Sequence, residues 1–533
     1  MRPRTRLVTF VGALFAIIGF AQCQGPRTDN EFWSSLVSRE LEEALRVKWN
    51  LGTARNVVLF IGDGMGPATV AATRLYRGGE SHRLFYETFP HVGMLKTYNA
   101  NYMVPDSAST ATALFCGVKT NQNTVGVDAT VTEGDCASGL RPESRLRSLA
   151  VLAQQAGKST GLVTSMRVTH ATPAPLYAHS ADRRWECEAV MPAAAVAAGC
   201  KDIARQLVED EPGASLNVIM GGGRQVLVSN SSGSPSDPLD TWGCRRQDGA
   251  DLIQEYRRRK EERGLRYRVV SNNEELESVN FNNTDYLLGI FANGHLQYEH
   301  EKDPGPAGMP TLAAMVDAAI RVLRKNEKGF FLMVEGGNID MAHHRGKAKK
   351  AIDESAAMEQ AVQVASALVD EEDTLLIVTS DHSHGLQING FPKRGSSVFG
   401  IVKNPNPAYG PDYTTLTYGT GGPGAIQYSV KVDDNNKTSV ERRDPNLDDT
   451  EDFEYEQIAA AAAIEAYHGG DDVAIYARGP YSHLFHNVHE QHYVYHVISY
   501  AARLGQYASS QETVRASCVL TAAILFATAL LAR

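Results

Sequence analysis

Short, wholly apolar runs alternate along the middle of the chain with longer stretches in which apolar residues recur every three or four positions. Asn56-Val-Val-Leu-Phe-Ile61, Thr160-Gly-Leu-Val-Thr164, Phe330-Phe-Leu-Met-Val334 and Leu375-Leu-Ile-Val-Thr379 have the length and β-branched or aromatic content of buried strands, and 472–477 reads as another. Met309–Arg324 and Ala348–Val369 read as helices between them. Strands apolar on both faces and separated by helices predict an α/β fold, with a central, mainly parallel sheet and helices on both faces. Ahead of the first strand, 30–49 places Trp33, Leu36, Leu41 and Leu45 on one helical face, which predicts an N-terminal helical arm over 25–52. From 386 to 455 the rhythm breaks. Gly, Pro, Tyr and Asn are frequent there and an acidic run follows from Asp444 to Glu456, so this segment reads as a β-rich or irregular insertion. The catalytic core is thus expected over 53–385, with a return at 456–507.

Each of these strands leads into residues that carry chemistry. The first ends in Gly62-Asp63-Gly64-Met65-Gly66, the second is followed by Thr169-His170-Ala171-Thr172, the third by Glu335-Gly336-Gly337 and the fourth by Asp381-His382-Ser383-His384. Ligands of parallel α/β sheets bind beyond the carboxyl ends of the strands, where all of these residues fall. A dinucleotide fingerprint does not fit the first turn, because the glycine spacing is wrong and a carboxylate occupies it. Asp340 and His344 are four apart and share a helical face, whereas His343 points elsewhere. His468 precedes Gly469-Gly470.

A Ser sits in a matching place. In Val104-Pro-Asp-Ser-Ala-Ser-Thr-Ala-Thr-Ala113, Pro105 disfavours helix for the residue before it, so Asp106 and Ser107 stand where a helix begins, a position that accepts anions. Taken alone, Ser107 reads as an N-cap. Beside carboxylates and imidazoles in these numbers it reads differently. Oxygen ligands with two or three His suit zinc, and a carboxylate-rich neighbour suits magnesium. A Ser next to such a metal ionises without a His base, and phosphoryl transfer, whose transition state needs positioning and charge neutralisation, is the matching reaction. Arg183 is placed to clamp phosphate oxygens bidentately.

Composition adds location. A net charge of −10 and a pI near 5.9 give no support to a nucleic-acid partner. Residues 1–24 carry Arg2, Arg4 and Arg6 ahead of the apolar run Leu7–Phe20 and small residues, the order of a signal peptide. Residues 508–533 run from small Ala508, Ser509 and Ser510 through a polar spacer to the apolar 518–532, the order of a GPI-attachment signal with Ser509 as the lipidation site. The expected location is the extracellular face of the cell membrane. With Cys23 and Cys518 in the processed segments, Cys116, Cys136, Cys187, Cys200 and Cys244 remain. An odd count leaves one unpaired, and Cys116, in an apolar helical run, is the expected buried free thiol. Asn230, Asn282 and Asn436 each begin an N-glycosylation tripeptide.

From about Trp33 to Gln506 the chain resembles the alkaline phosphatases, in particular the GPI-anchored animal enzymes. The motifs that carry the likeness are Gly62-Asp63-Gly64-Met65-Gly66, Pro105-Asp106-Ser107-Ala108, Thr169-His170-Ala171-Thr172, Glu335-Gly336-Gly337-x-Ile339-Asp340, Thr379-x-Asp381-His382-Ser383-His384 and His468-Gly469-Gly470-x-Asp472-Val473. The resemblance implies hydrolysis of small phosphate monoesters through a phosphoserine at Ser107, with two zinc ions and one magnesium. It assigns Asp63, Asp381 and His382 to the zinc beside Ser107, and Asp340, His344 and His468 to the zinc that activates water. Asp63, Thr172 and Glu335 go to magnesium with His170 nearby, and His384 lies behind the ligands. Arg183 matches the phosphate-binding Arg of the pattern that runs here from His179 to Trp185. A homodimer embraced by the N-terminal helix is implied, with residues 386–455 as a crown at its interface. So are disulfides Cys136–Cys200 and Cys187–Cys244.

The chain departs from the family pattern at Ser109, where Gly is usual, at Arg184, which duplicates the clamp residue, and at Asn338 and Met341. It also departs at the calcium site of the vertebrate members. There the resemblance pairs a Phe carbonyl with the following Glu, but Phe291 is followed by Ala292. The downstream Asp aligns near Ala307, and the 229–240 loop has no Glu to match the upstream one, so no calcium is expected. The alternative readings are a related metal-dependent phosphodiesterase, sulfatase or phosphomutase, and a surface glycoprotein with a binding role. The complete ligand set argues against catalytic silence.

Overall fold

The structure, a computed structural model, describes residues 29–508 except 407, 409 and 427. The expected signal peptide, Ser509 and the apolar tail lie outside the described residues.

The chain forms the strands β1 (Asn56–Gly62), β2 (His91–Lys96), β3 (Ser159–Arg167), β4 (Val218–Gly222), β5 (Tyr267–Val270), β6 (Tyr286–Ile290), β7 (Phe330–Gly336) and β8 (Thr374–Ser380), of which β1, β4, β7 and β8 are buried end to end. With the strands Val473–Arg478 and Asn487–Glu490 they make one ten-stranded sheet, in the order Asn487–Glu490, β2, Val473–Arg478, β8, β1, β7, β3, β4, β6, β5. Every pairing is parallel except the two made by Val473–Arg478, which lies antiparallel between β2 and β8. The expected mainly parallel sheet is therefore present.

Two-residue alternation explains why the central residues of β1, β7 and β8 are all apolar. Val57, Leu59 and Ile61 enter one core together with Phe331, Met333, Leu375 and Ile377. Val58 and Phe60 enter a second core on the other face, with Phe330, Leu332, Val334, Leu376 and Val378. Helices close both cores. Leu312–Leu323 and Ala348–Leu368 contribute Met315, Val316, Met358 and Val362 to the second core, while Ser107–Cys116 and Tyr493–Ala501 contribute Leu114, Phe115, Val494 and Ile498 to the first.

The expected arm is the helix Asn30–Arg46, capped by Asp29, whose side chain accepts the Phe32 N–H at 2.7 Å; no residue of the helix is buried. Residues 386–462 hold small sheets. Leu386–Ile388 pairs with Leu416–Gly421, which in turn pairs with Ala459–Ala462, beyond the expected boundary at 455. Cys136 bonds Cys200 and Cys187 bonds Cys244, while Cys116 is a buried free thiol that burial pushes up to about 12. Asn230, Asn282 and Asn436 are exposed.

Candidate active site

The parallel registers bring the motifs together. Ile61 of β1 is level with Glu335 of β7 and with Thr379 of β8, so Asp63, Glu335 and Asp381 emerge side by side at the carboxyl edge of the sheet. β3 flanks β7 with Thr164 level with Glu335, and the turn after β3 delivers His170 and Thr172. The helix Ser107–Cys116 points its first turn at the same place. Its N-cap is Asp106, not Ser107: the Asp106 carboxylate accepts the Ala108 and Ser109 N–H groups at 3.2 and 3.3 Å. Ser107 is thereby free of capping duty. Its Oγ lies 3.1 Å from His382 Nε2 and 3.5 Å from Asp63 Oδ1.

Three clusters of ligand atoms result: Asp63, Asp381 and His382; Asp340, His344, His384 and His468; and Asp63, His170 and Glu335. The hydrogen-bond pattern of the imidazoles tests whether cations fit them. His382 Nδ1 faces the Ser383 carbonyl at 3.2 Å, His344 Nδ1 the Ala466 carbonyl at 2.9 Å and His468 Nδ1 the Pro105 carbonyl at 2.8 Å. A carbonyl accepts, so in each neutral ring the proton sits on Nδ1 and Nε2 presents a lone pair. His344 Nε2 and His468 Nε2 then face each other at 3.0 Å with Asp340 beside them at 3.4 and 3.5 Å. His382 Nε2 faces Asp63 and Asp381 at 3.4 and 3.3 Å. Lone pairs directed at lone pairs and carboxylates repel unless a cation stands between them.

The carboxylates make the same demand. Burial and their mutual repulsion push Asp63 far above the usual carboxylate range, Glu335 to about 7 and Asp381 to about 6. Burial acts against the charge on Asp340 too, but His344 and His384 outweigh it and hold Asp340 well below that range. Burial likewise opposes a charge on His344, yet Asp340 lifts it to about 9, so without a metal a proton takes the place on Nε2 that a cation would otherwise fill. Glu335 Oε1, His170 Nδ1 and His384 Nδ1 are buried without a partner. These donor sets fit divalent cations.

The remaining expected residues fall around this centre. His384 Nε2 is 2.6 Å from Asp340 Oδ1. Thr172 Oγ1 is 3.4 Å from Asp63 Oδ2. Arg183 stands at the rim, with Nη1 3.2 Å from Asp106 Oδ2 and Nη2 3.4 Å from His170 Nε2, whereas Arg184 turns outward to Asp182 and Glu133. His343 is taken up by Thr69 at 3.0 Å and Tyr418 at 2.7 Å, away from the ligands. The Ser109 hydroxyl fits the helix start, donating to the Asp106 carbonyl at 2.9 Å and accepting from Asn99.

Several contributors carry no motif. Gln491 donates to the Asp381 carbonyl at 2.6 Å, Thr110 to its carboxylate at 3.4 Å, and Thr164 donates to Glu335. Gln491 comes from a segment that nothing in the local sequence marks, whereas Thr110 and Thr164 lie in the Val104–Ala113 stretch and the Thr160–Thr164 run without themselves being a ligand signal. At Phe291–Ala292 the Ala292 carbonyl accepts the Gly223 and Arg224 N–H groups at 3.0 Å, and the Arg224 guanidinium bonds Asp237 at 2.6 Å and the Ile290 carbonyl at 3.0 Å.

Comparison with known proteins agrees with this geometry. The family model described as alkaline phosphatase matches residues 54–504. The chain is 42% identical to the human tissue-nonspecific isozyme of alkaline phosphatase, over 90% of this chain and 89% of that one. It is 38% identical to the membrane-bound alkaline phosphatase of Bombyx mori, over 93% and 89%. The alkaline phosphatase structure from Thermus thermophilus shares the fold with a TM-score of 0.58 at 24% identity, covering 88% of this chain and 96% of that one. With Ser107, the clusters of possible ligand atoms and the sheet that assembles them described, the family match over 54–504 shows that this chain belongs to the alkaline phosphatase family.

Proposed function

We propose that this alkaline phosphatase hydrolyses phosphate monoesters through a phosphoserine at Ser107, at a site for two zinc ions and one magnesium. The observation that carries the reading is the Ser107 Oγ, 3.1 Å from a His382 nitrogen whose lone pair also faces Asp63 and Asp381. Asp63, Asp381 and His382 would hold one zinc, Asp340, His344 and His468 the other, and Asp63, Thr172 and Glu335 the magnesium, with His170 beside it. When bound, the cations supply the positive charge that lowers the proton affinity of the Ser107 hydroxyl and of the attacking water and offsets the charge on the phosphoryl oxygens.

The chain's own residues do the rest. Arg183 turns its guanidinium from Asp106 towards the phosphate and fixes it bidentately. Ser107 Oγ forms a bond to phosphorus as the leaving alcohol's oxygen departs. Water then attacks the same phosphorus from the opposite side, Oγ is released, and phosphate leaves. The clamp grips the phosphate and not the alcohol, which favours broad acceptance of leaving groups. The His384–Asp340 contact keeps that carboxylate ionised and oriented.

A cell-surface location on a GPI anchor is supported by the small-residue, spacer and apolar-tail order of 508–533. No described helix is long and apolar enough to cross a membrane. A homodimer is supported by the arm, which leaves Val37, Leu41 and Leu45 more than half exposed. At Phe291 the Arg224 guanidinium supplies the positive charge, and no calcium is expected there. Hydrolysis of p-nitrophenyl phosphate by the purified protein, lost in Ser107→Ala with metal content unchanged, tests the reading. Full turnover in that variant would reject it.

A further inference from the structure

His170 is the least secured member of the Asp63–His170–Glu335 cluster. Its Nδ1 is buried without a partner, and its Nε2 reaches Arg183 only at 3.4 Å. Hydrogen bonds of its own therefore do not fix the ring. What lies against it is a second imidazole: His295, in the turn after β6, packs edge-on to His170 with centroids 5.1 Å apart and planes at 90°.

His295 itself sits against Arg167. Its Nδ1 lies 3.2 Å from the Arg167 backbone N–H and its Nε2 2.8 Å from Arg167 Nη1; both partners donate, so the neutral ring, with one lone pair, accepts from one of them at a time. Arg167 Nη1 also donates to Asp240, whose Oδ2 is 3.7 Å from His295 Nε2. Arg167 ends β3 and is buried. Its remaining donors grip Glu186 at 2.7–3.2 Å, and Glu186 also accepts from Thr169 at 2.6 Å, next to His170. The Arg167 carbonyl accepts the His170 backbone N–H at 2.9 Å. Glu186 adjoins Cys187, which is bonded to Cys244, so a disulfide pins one side of the hub. Removing a partner from the buried Arg167–Glu186 pair would leave a charge unpaired, so Arg167 is firmly held where it meets His295.

We propose that His295, clamped on Arg167, is a positioning residue that fixes the orientation of His170 and thereby sets the affinity of the Asp63–His170–Glu335 cluster for its divalent cation. The inference rests on the reading that this cluster holds magnesium. Groups that orient a metal site from outside its ligands typically change affinity 10- to 100-fold when lost.

The test is magnesium binding to the zinc-loaded, magnesium-depleted protein, followed by titration calorimetry and by the magnesium concentration that half-restores activity. His295→Ala is expected to weaken magnesium binding about 10-fold, with zinc content and KM for p-nitrophenyl phosphate unchanged. His295→Phe keeps a ring against His170 but loses the clamp, and is expected to fall between the parent and the Ala variant. It carries the test should the Ala variant not fold. A lower melting temperature with unchanged magnesium affinity in either variant would show a purely structural role and overturn the proposal. His170→Ala is the control: if it leaves magnesium affinity untouched, the magnesium reading of the cluster fails, independently of His295.

Discussion

Arg183 Nη1 lies 3.2 Å from Asp106 Oδ2, the carboxylate that caps the Ser107 helix, so the arginine proposed to clamp phosphate and the helix that carries the proposed nucleophile are tied through one side chain. Arg184, its neighbour, is 71% exposed and bound to Asp182 and Glu133. Charge-assisted hydrogen bonds are worth about 1.5–3 kcal/mol. Arg183→Ala should therefore raise KM for p-nitrophenyl phosphate and the inhibition constant of phosphate by roughly 10- to 100-fold. Arg184→Ala should leave both near the parent values. Equal effects from the two variants would place the clamp elsewhere.

The metal reading predicts that chelation abolishes turnover and that zinc with magnesium restores it. His344→Ala removes one of three protein ligands from one zinc cluster. Metal analysis should then show a loss of zinc beyond the parent's, together with a fall in turnover. Full activity in thoroughly zinc-free protein is the contrary outcome.

Away from the site, Glu354 in the helix Ala348–Leu368 is buried and accepts the Glu299 N–H at 2.5 Å. Burial, reinforced by Glu299 and Asp353 and opposed by Lys302, pushes it up to about 8 from an ordinary value of 4.5. The folded state then holds a proton that the unfolded chain has lost between those values, so stability falls as pH rises from about 4.5 to 8, by at most about 1.4 kcal/mol per unit. Below that window Glu354 contributes no pH dependence, and above it the penalty is constant. Glu354→Gln should raise the melting temperature relative to the parent at pH 9 and not at pH 4.5, as read by calorimetry. A parallel shift at both pH values would contradict the assignment.

The Arg224 guanidinium, bonded to Asp237 and the Ile290 carbonyl beside Phe291, predicts that calcium adds nothing there. Calcium given to zinc- and magnesium-loaded protein should leave the melting temperature unchanged. A rise that depends on Asp237 would show that a calcium site exists.

Much of this was legible from the chain alone, for definite reasons. β1, β7 and β8 are buried on both faces, so their central residues are apolar without interruption, and the proposed ligands Asp63, Glu335 and Asp381 lie at or just past their carboxyl ends. β2 was not legible. It alternates buried and partly exposed residues and begins with His91. β4 ends in glycines and β5 is half exposed, so neither matched a buried-strand pattern. The insertion was expected to close at 455, but the four alanines of Ala459–Ala462 pair with Leu416–Gly421, and a run of Ala gives no strand signal. Asp63, Ser107 and His382 stood out because each lies in a compact motif. Arg167, Glu186, Asp240 and His295 did not, because four distant segments supply them and only the folded sheet edge brings them together.

The central claim is that Ser107 Oγ attacks phosphorus. Protein incubated with radiolabelled phosphate at low pH, quenched and digested, reads this directly. The label should appear on Ser107, with none in Ser107→Ala protein of normal zinc content. Label on any other residue, or equal labelling of the Ser107→Ala protein, would contradict the account.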